Sequence, residues 1–137
     1  MPGRKTVVIL AIGTTLVVST QAFAVTMKEL QGAWAIEGSD CANTFKKTGG
    51  KVTFKNPGSE VTSGVIVTGN KIVSPDLSCT AISIKPEKDR LSAKMTCADA
   101  LLIQTMSMSF KITGADTFER FDPSYPTMAF TYRRCKL

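Results

Sequence analysis

LSCTAISIKPEKDRLSAKMTCAD, residues 77 to 99, reads as a β-hairpin. Two runs of strand character flank Pro86-Glu87-Lys88-Asp89, a cluster of turn residues. In the second run Leu91, Ala93, Met95 and Cys97 alternate with Ser92, Lys94 and Thr96, the period of a strand with one buried face. Cys79 and Cys97 each lie nine residues from Lys88, so a hairpin that folds back regularly sets them opposite one another.

Similar runs extend to both sides. Gly32 to Glu37 forms a first strand with Trp34 and Ile36 on one face, and Cys41 to Thr48 continues as an irregular strand to Gly49-Gly50. Lys51 to Lys55 is a strand stopped by Asn56-Pro57-Gly58. Val61 to Thr68 and Lys71 to Val73 are joined by Gly69-Asn70, a two-residue hairpin signal. From Leu102 to Ile112, Leu102, Met106, Met108 and Phe110 face one way and Ser107, Ser109 and Lys111 the other. Gln104 interrupts the apolar face, which suits a position near a barrel mouth. Thr117 to Phe121 follows a turn, Asp122-Pro123-Ser124-Tyr125-Pro126 is a rigid loop, and Thr127 to Cys135 is the last strand. No helical period exceeds a turn or two. Strands at about ten-residue spacing argue an all-β barrel or sandwich, and the reading taken is a small antiparallel up-and-down β-barrel of about eight strands. Pairing the first strand with the last leaves no free barrel edge.

Residues 1 to 24 carry the pattern of a secretory signal peptide. Arg4 and Lys5 precede an apolar run from Thr6 to Ser19, and Thr20-Gln21-Ala22-Phe23-Ala24 ends in small-x-small. Gly13, Thr14 and Thr15 break the run, which is shorter than the roughly 20 residues of a membrane span. Cleavage after Ala24 leaves residues 25 to 137 as a single exported domain, periplasmic or secreted in a bacterium, without an integral membrane span. Its four cysteines read as two disulfides. Of the three connectivities, the hairpin favours Cys79–Cys97, and closure near the chain ends favours Cys41–Cys135. A zinc site is the rival reading, but no two cysteines have ligand spacing and the chain has no histidine.

The same lack of histidine removes the common Ser-His and Cys-His nucleophiles, and no Gly-rich phosphate loop is present. Asp76, Asp99, Asp116, Glu119 and Asp122 are acids that loops can bring together, as a glycosidase pair requires. Each is more simply a turn or solvent-face acid, so the reading is non-enzymatic, with no cofactor and no metal. Without Arg4 and Lys5 the formal charge falls from +6 to +4. A nucleic-acid partner calls for a denser basic element with interleaved aromatics. Lys46, Lys47, Lys51 and Lys55 are the local basic cluster, beside Phe45 and Phe54. They read as a solvated strand face or as a docking patch for an acidic surface. Trp34, Met95, Met106, Met108, Phe110, Met128 and Phe130 fill a small barrel or line an apolar ligand cavity, and the size of the domain favours filling.

Gly32-Ala33-Trp34 near the start, with Arg133-Arg134 on the last strand, resembles the calycin pattern. In lipocalins and their relatives a GxW tryptophan packs against an arginine of the last strand and closes the barrel base. The resemblance gives Trp34 and Arg133 that structural role. Leu30-Gln31-Gly32-Ala33-Trp34-Ala35-Ile36 followed by Cys41 is also similar to the start of the small bacterial metalloprotease inhibitors of the alkaline-protease type. Those are exported eight-stranded barrels whose short N-terminal segment enters the protease cleft, which would make Val25, Thr26, Met27 and Lys28 the inhibitory segment. Four cysteines exceed that family's single bridge, and its other features have no equivalent through residues 50 to 120. A single tryptophan cannot build the ring cage of an avidin-type biotin site. The expectation is an exported binding protein, inhibitor-like and directed at another protein, with Val25 to Lys28, the lysine face and the loop bearing Tyr125 as contact elements. The alternatives are a carrier of a small apolar ligand and an envelope structural protein.

Overall fold

The computed structural model describes residues 25 to 137, so the signal-peptide assignment of residues 1 to 24 lies outside the described residues. Eight strands form a closed antiparallel barrel: β1 (Gly32–Ile36), β4 (Gly64–Thr68), β5 (Lys71–Val73), β6 (Ser78–Pro86), β7 (Arg90–Ala98), β8 (Ile103–Gly114), β9 (Thr117–Phe121) and β10 (Phe130–Arg134). Each of β4 to β10 pairs with its neighbour in sequence, and β1 closes the wall between β4 and β10. Between β1 and β4 the chain leaves the wall. A helical turn, α1 (Cys41–Thr44), leads into a separate hairpin of β2 (Phe45–Thr48) and β3 (Lys51–Phe54). The disulfides are Cys41–Cys135 and Cys79–Cys97.

The hairpin of β6 and β7 pairs Cys79 with Cys97 as expected, but by two offsets that cancel. Its last pair is Pro86 with Leu91, so Pro86 belongs to the strand and the turn is centred half a residue beyond Lys88. A regular fold-back about that turn would set Cys79 opposite Ala98. A bulge between Ala81 and Ser83 takes up one residue of β6 and restores the cysteine pair.

Several strand expectations are corrected. Cys41 to Thr44 is helical rather than extended, because Asp40 caps the turn: its side chain accepts from the Asn43 amide at 3.0 Å and its carbonyl from the Thr44 amide. The strand expected from Val61 begins only at Gly64, and the last strand begins at Phe130 rather than Thr127. Leu102 lies before β8 and is exposed, so it does not join the inward face of Met106, Met108 and Phe110.

Two apolar cores result. Inside the barrel Trp34, Val65, Val67, Ile72, Leu91, Met95, Met108, Phe110, Phe118 and Tyr132 pack together with the Cys79–Cys97 bridge. Phe118 lies edge-on to Trp34 at 4.7 Å and stacks on Tyr132 at 4.9 Å. Outside, Phe45 and Phe54 pack on Ala33, Ala35 and Cys135 and hold the β2–β3 hairpin against the wall as a flap. Small side chains on that stretch of wall let the rings approach. At Gly64 a Cβ would stand 2.5 Å from the Trp34 carbonyl oxygen and 2.8 Å from the Phe45 ring. Gly64→Ala is therefore expected to cost about 1–3 kcal/mol in urea denaturation, as overpacking does. A cost of only a few tenths would mean that the β1 backbone at Trp34 and the Phe45 ring both shift freely.

Candidate functional site

Strand direction separates the barrel into two unlike ends. At one end the lead of residues 25–31 folds across the opening, and Val25, Met27 and Leu30 are buried in the interior core. The Trp34 indole donates to the Leu30 carbonyl at 2.7 Å, and the Gln31 amide group exchanges hydrogen bonds with Gly69 and donates to the Met27 carbonyl. Arg134 lies over the Trp34 ring at 4.0 Å, donates to the carbonyls of Gln31 and Glu29, and meets Asp116 at 3.2 Å. Gly32, at φ +115°, turns the lead into β1 with the Arg134 guanidinium 3.3 Å from where a Cβ would sit.

The arginine over the tryptophan is thus Arg134 and not Arg133. Side chains alternate along β10, so Arg134 shares the inward face of the buried Tyr132 while Arg133 faces solvent. Parity with Tyr132 was the signal that would have chosen between them. Val25 and Met27 are committed to the core, so Thr26 and Lys28 are the part of the proposed inhibitory segment that reaches solvent.

The other end is open and apolar at its rim. Leu101 and Leu102 before β8 and Ile103 at its start are exposed, as are Tyr125 and Met128 before β10 and Phe130 at its start. Both connections lie at this end of the barrel, and because β8 pairs with β9 only from Ser109 onward, the β7–β8 hairpin projects past the end of β9. Leu101 is 90 % exposed, the posture of a side chain that has no place in the fold itself. Asp99 fixes the first loop by accepting from the amides of Leu101 and Leu102, both at 2.7 Å, which holds its carboxyl below the usual range. That support is present above the ordinary carboxylate pKa and is lost as pH falls through the lowered one. Asp122 fixes the second loop through the Ser124 amide at 2.7 Å.

Inside this mouth is a depression of about 300 Å³ lined by Leu77, Met106, Met108, Arg120 and Phe130. Arg120 points inward from β9 and stacks between Phe130 at 5.5 Å and Tyr132 at 5.6 Å. No carboxylate among the described residues pairs with it. Deeper in, the space between Leu77, Cys79, Met108 and Arg120 amounts to about 10 Å³, at the lower limit for one water. The Tyr132 hydroxyl is buried without a hydrogen-bond partner among the described residues, and burial raises its pKa while Arg120 opposes the rise. Tyr132→Phe is expected to leave stability unchanged or raise it by up to about 1 kcal/mol, since an unpaired buried hydroxyl costs rather than contributes. A clear loss on thermal unfolding would show that the hydroxyl is paired.

The residues expected to line an apolar cavity divide accordingly. Trp34, Met95, Met108 and Phe110 are buried in the packed interior, Met106 and Phe130 lie at the mouth, and Met128 is on the outer rim. Lys46, Lys47, Lys51 and Lys55 are all exposed on the flap, where the Lys47 ammonium donates to the Leu137 carbonyl at 3.0 Å. The five acids have separate places: Asp116 pairs with Arg134 and Lys136, Asp76 accepts from Ser74, Asp99 and Asp122 hold their own loops, and Glu119 lies on β9 opposite Lys111. Among the described residues no three His, Cys, Asp or Glu side chains gather as a metal site, and no helix is long and apolar enough to cross a membrane. The rim at Leu101-Leu102-Ile103 and the unpaired Arg120 went unread in the sequence. A run of three large apolar residues beside Asp99, at a hairpin turn, was the available signal for the first.

Geometry defines the class: an up-and-down eight-stranded barrel, closed at one end by its own lead and carrying a disulfide-tethered flap. No family model, curated protein or solved structure matches the chain.

Proposed function

We propose that this is an exported, non-enzymatic binding module, periplasmic or secreted, that acts on another protein through the open mouth of its barrel. One observation carries the reading. Six large apolar side chains stand exposed on or next to two connections at the open end of the barrel, although the packed interior beneath them has no room to take them in. Large apolar side chains exposed together at one end of a fold mark an interaction site, and rigid scaffolds present binding residues on loops. Tyr125 and Phe130 supply aromatic anchors of the type that dominate protein interfaces. Arg120 at the centre adds a cation for a carboxylate that the partner inserts. In an inhibitor-like reading the mouth, rather than the buried lead, engages the target.

The test compares wild type with the mouth variant Leu101→Ser, Ile103→Ser, Tyr125→Ser, each recovered undenatured from the envelope of the native host. Because all three residues are exposed, thermal stability is expected to change by no more than about 0.5 kcal/mol per site. Native mass spectrometry should show a protein partner at fixed stoichiometry on wild type and not on the variant. Retention of the partner by the variant would move the contact elsewhere. A small-molecule adduct, or a bare monomer in both samples, would overturn the reading.

A further inference from the structure

The flap leaves a second surface unfilled, remote from the mouth loops. Along the free side of β3 runs a groove of about 610 Å³, walled by Val52, Thr53 and Phe54 and floored by Ile66 and Val73 on the outside of β4 and β5. Lys46, Lys51 and Lys71 rim it, and none of the three has a carboxylate within ion-pair distance among the described residues. The volume lies in the ordinary range of a ligand site. An anionic amphiphile and an acidic extended peptide both match an apolar floor with a cationic rim.

The backbone of β3 decides between them. Gly49 and Gly50, at φ +57° and +79°, make a two-residue hairpin turn, so the flanking pair Thr48–Lys51 exchanges hydrogen bonds. The alternation then gives hydrogen-bonded pairs at Lys46–Thr53 and at Thr44–Lys55, and the Lys55 amide does donate to the Thr44 carbonyl at 2.9 Å. Val52 and Phe54 fall between these pairs, so their N–H and C=O groups point away from β2. Among the described residues β3 has no partner on that side, and the groove runs along it. An alkyl chain in the groove would bury those amides without partners, at about 1–3 kcal/mol for each group. An extended peptide would pair with them.

The geometry points to β-strand addition: the free edge of β3 takes an extended peptide that alternates apolar and acidic side chains. Apolar side chains would face Ile66 and Val73, and carboxylates would meet Lys46, Lys51 and Lys71. Lysines also guard edges against indiscriminate pairing, and here that guard selects acidic sequences over neutral or basic ones. The inference stands apart from the mouth reading and does not depend on it.

The experiment uses fluorescence anisotropy with a labelled, end-blocked peptide of alternating valine and glutamate. Saturable binding to the intact protein is expected, weakening with salt. N-methylation of the alternate peptide amides that face β3 should weaken it by at least about tenfold, the loss of one or more main-chain hydrogen bonds. Val52→Pro should do the same from the protein side. Its missing N–H is the one that points away from β2, so the flap hydrogen bonds remain, and edge positions tolerate proline. Lys51→Glu with Lys71→Glu should also weaken binding, while the mouth variant should bind as wild type. Absence of saturation would overturn the proposal, as would equal affinity for a valine-lysine peptide. Binding that ignores N-methylation but is displaced by laurate would assign the groove to an amphiphile instead.

Discussion

Trp34→Ala is expected to destabilise the protein by about 3–5 kcal/mol, the usual range for truncating a buried aromatic, and to lower Tm by at least about 10 °C in a domain of this size. Trp34 joins several parts of the fold at once. Its ring is 1 % exposed, meets Phe118 edge-on, carries the Arg134 guanidinium on its other contacts, and donates to Leu30. Truncation opens a cavity beneath the lead and leaves the Leu30 carbonyl without the indole. It also removes a cation–π contact worth about 0.5–2 kcal/mol by itself. Because Val25, Met27 and Leu30 pack in the same core, protection of amides in residues 25–31 should be lost first in hydrogen exchange. A loss below about 1 kcal/mol would mean that the lead, and not the tryptophan, closes this end of the barrel.

Arg134→Lys separates charge from geometry at the same place. The guanidinium reaches two backbone carbonyls, a carboxylate and the ring face together, which a single ammonium cannot do. The variant should be weaker than wild type and stronger than Trp34→Ala in the same urea titration. Parity with wild type would show that only the charge matters, and parity with Arg134→Ala that the charge alone contributes nothing.

The barrel was legible because its strands obey the period of two and its turns carry Gly, Asn, Pro and Asp where the chain reverses. Leu91 to Cys97 declares its buried face residue by residue, and the structure buries Leu91, Ala93, Met95 and Cys97. Local capping was harder to see. Asp40 converts the next four residues into a helical turn through one side-chain acceptor, and that turn lifts the chain out of the barrel wall. The flap therefore escaped a reading that treated every run as another stave. The groove along β3 escaped with it, since Ile66 and Val73 come from one part of the chain and Lys51 from another. The rim at residues 101–103 looks like strand in a sequence, because apolar residues announce burial by default. Only the described fold shows that there is no core left for them to join.

Removing the Cys41–Cys135 bridge, as Cys41→Ala with Cys135→Ala, is expected to cost about 4–5 kcal/mol on the chain-entropy account, because it closes a loop spanning 94 residues. The same account gives about 3 kcal/mol for Cys79–Cys97, whose span is 18 residues. Where the stability is lost matters more than the totals. Cys79 and Cys97 sit within the barrel interior, so removing them leaves a packing defect there. Cys41 and Cys135 instead join the flap to the last strand, and Cys135 packs among Phe45, Phe54, Ala33 and Ala35. Loss of this bridge should expose β2 and β3 to hydrogen exchange while β6, β7 and β8 stay protected, and peptide binding along β3 should weaken because the flap forms one wall of the groove. If protection falls evenly across the barrel instead, flap and barrel unfold as one unit and the tether acts on the whole fold. If the Cys79–Cys97 variant proves the less stable of the two, packing inside the barrel outweighs loop closure as the source of disulfide stability.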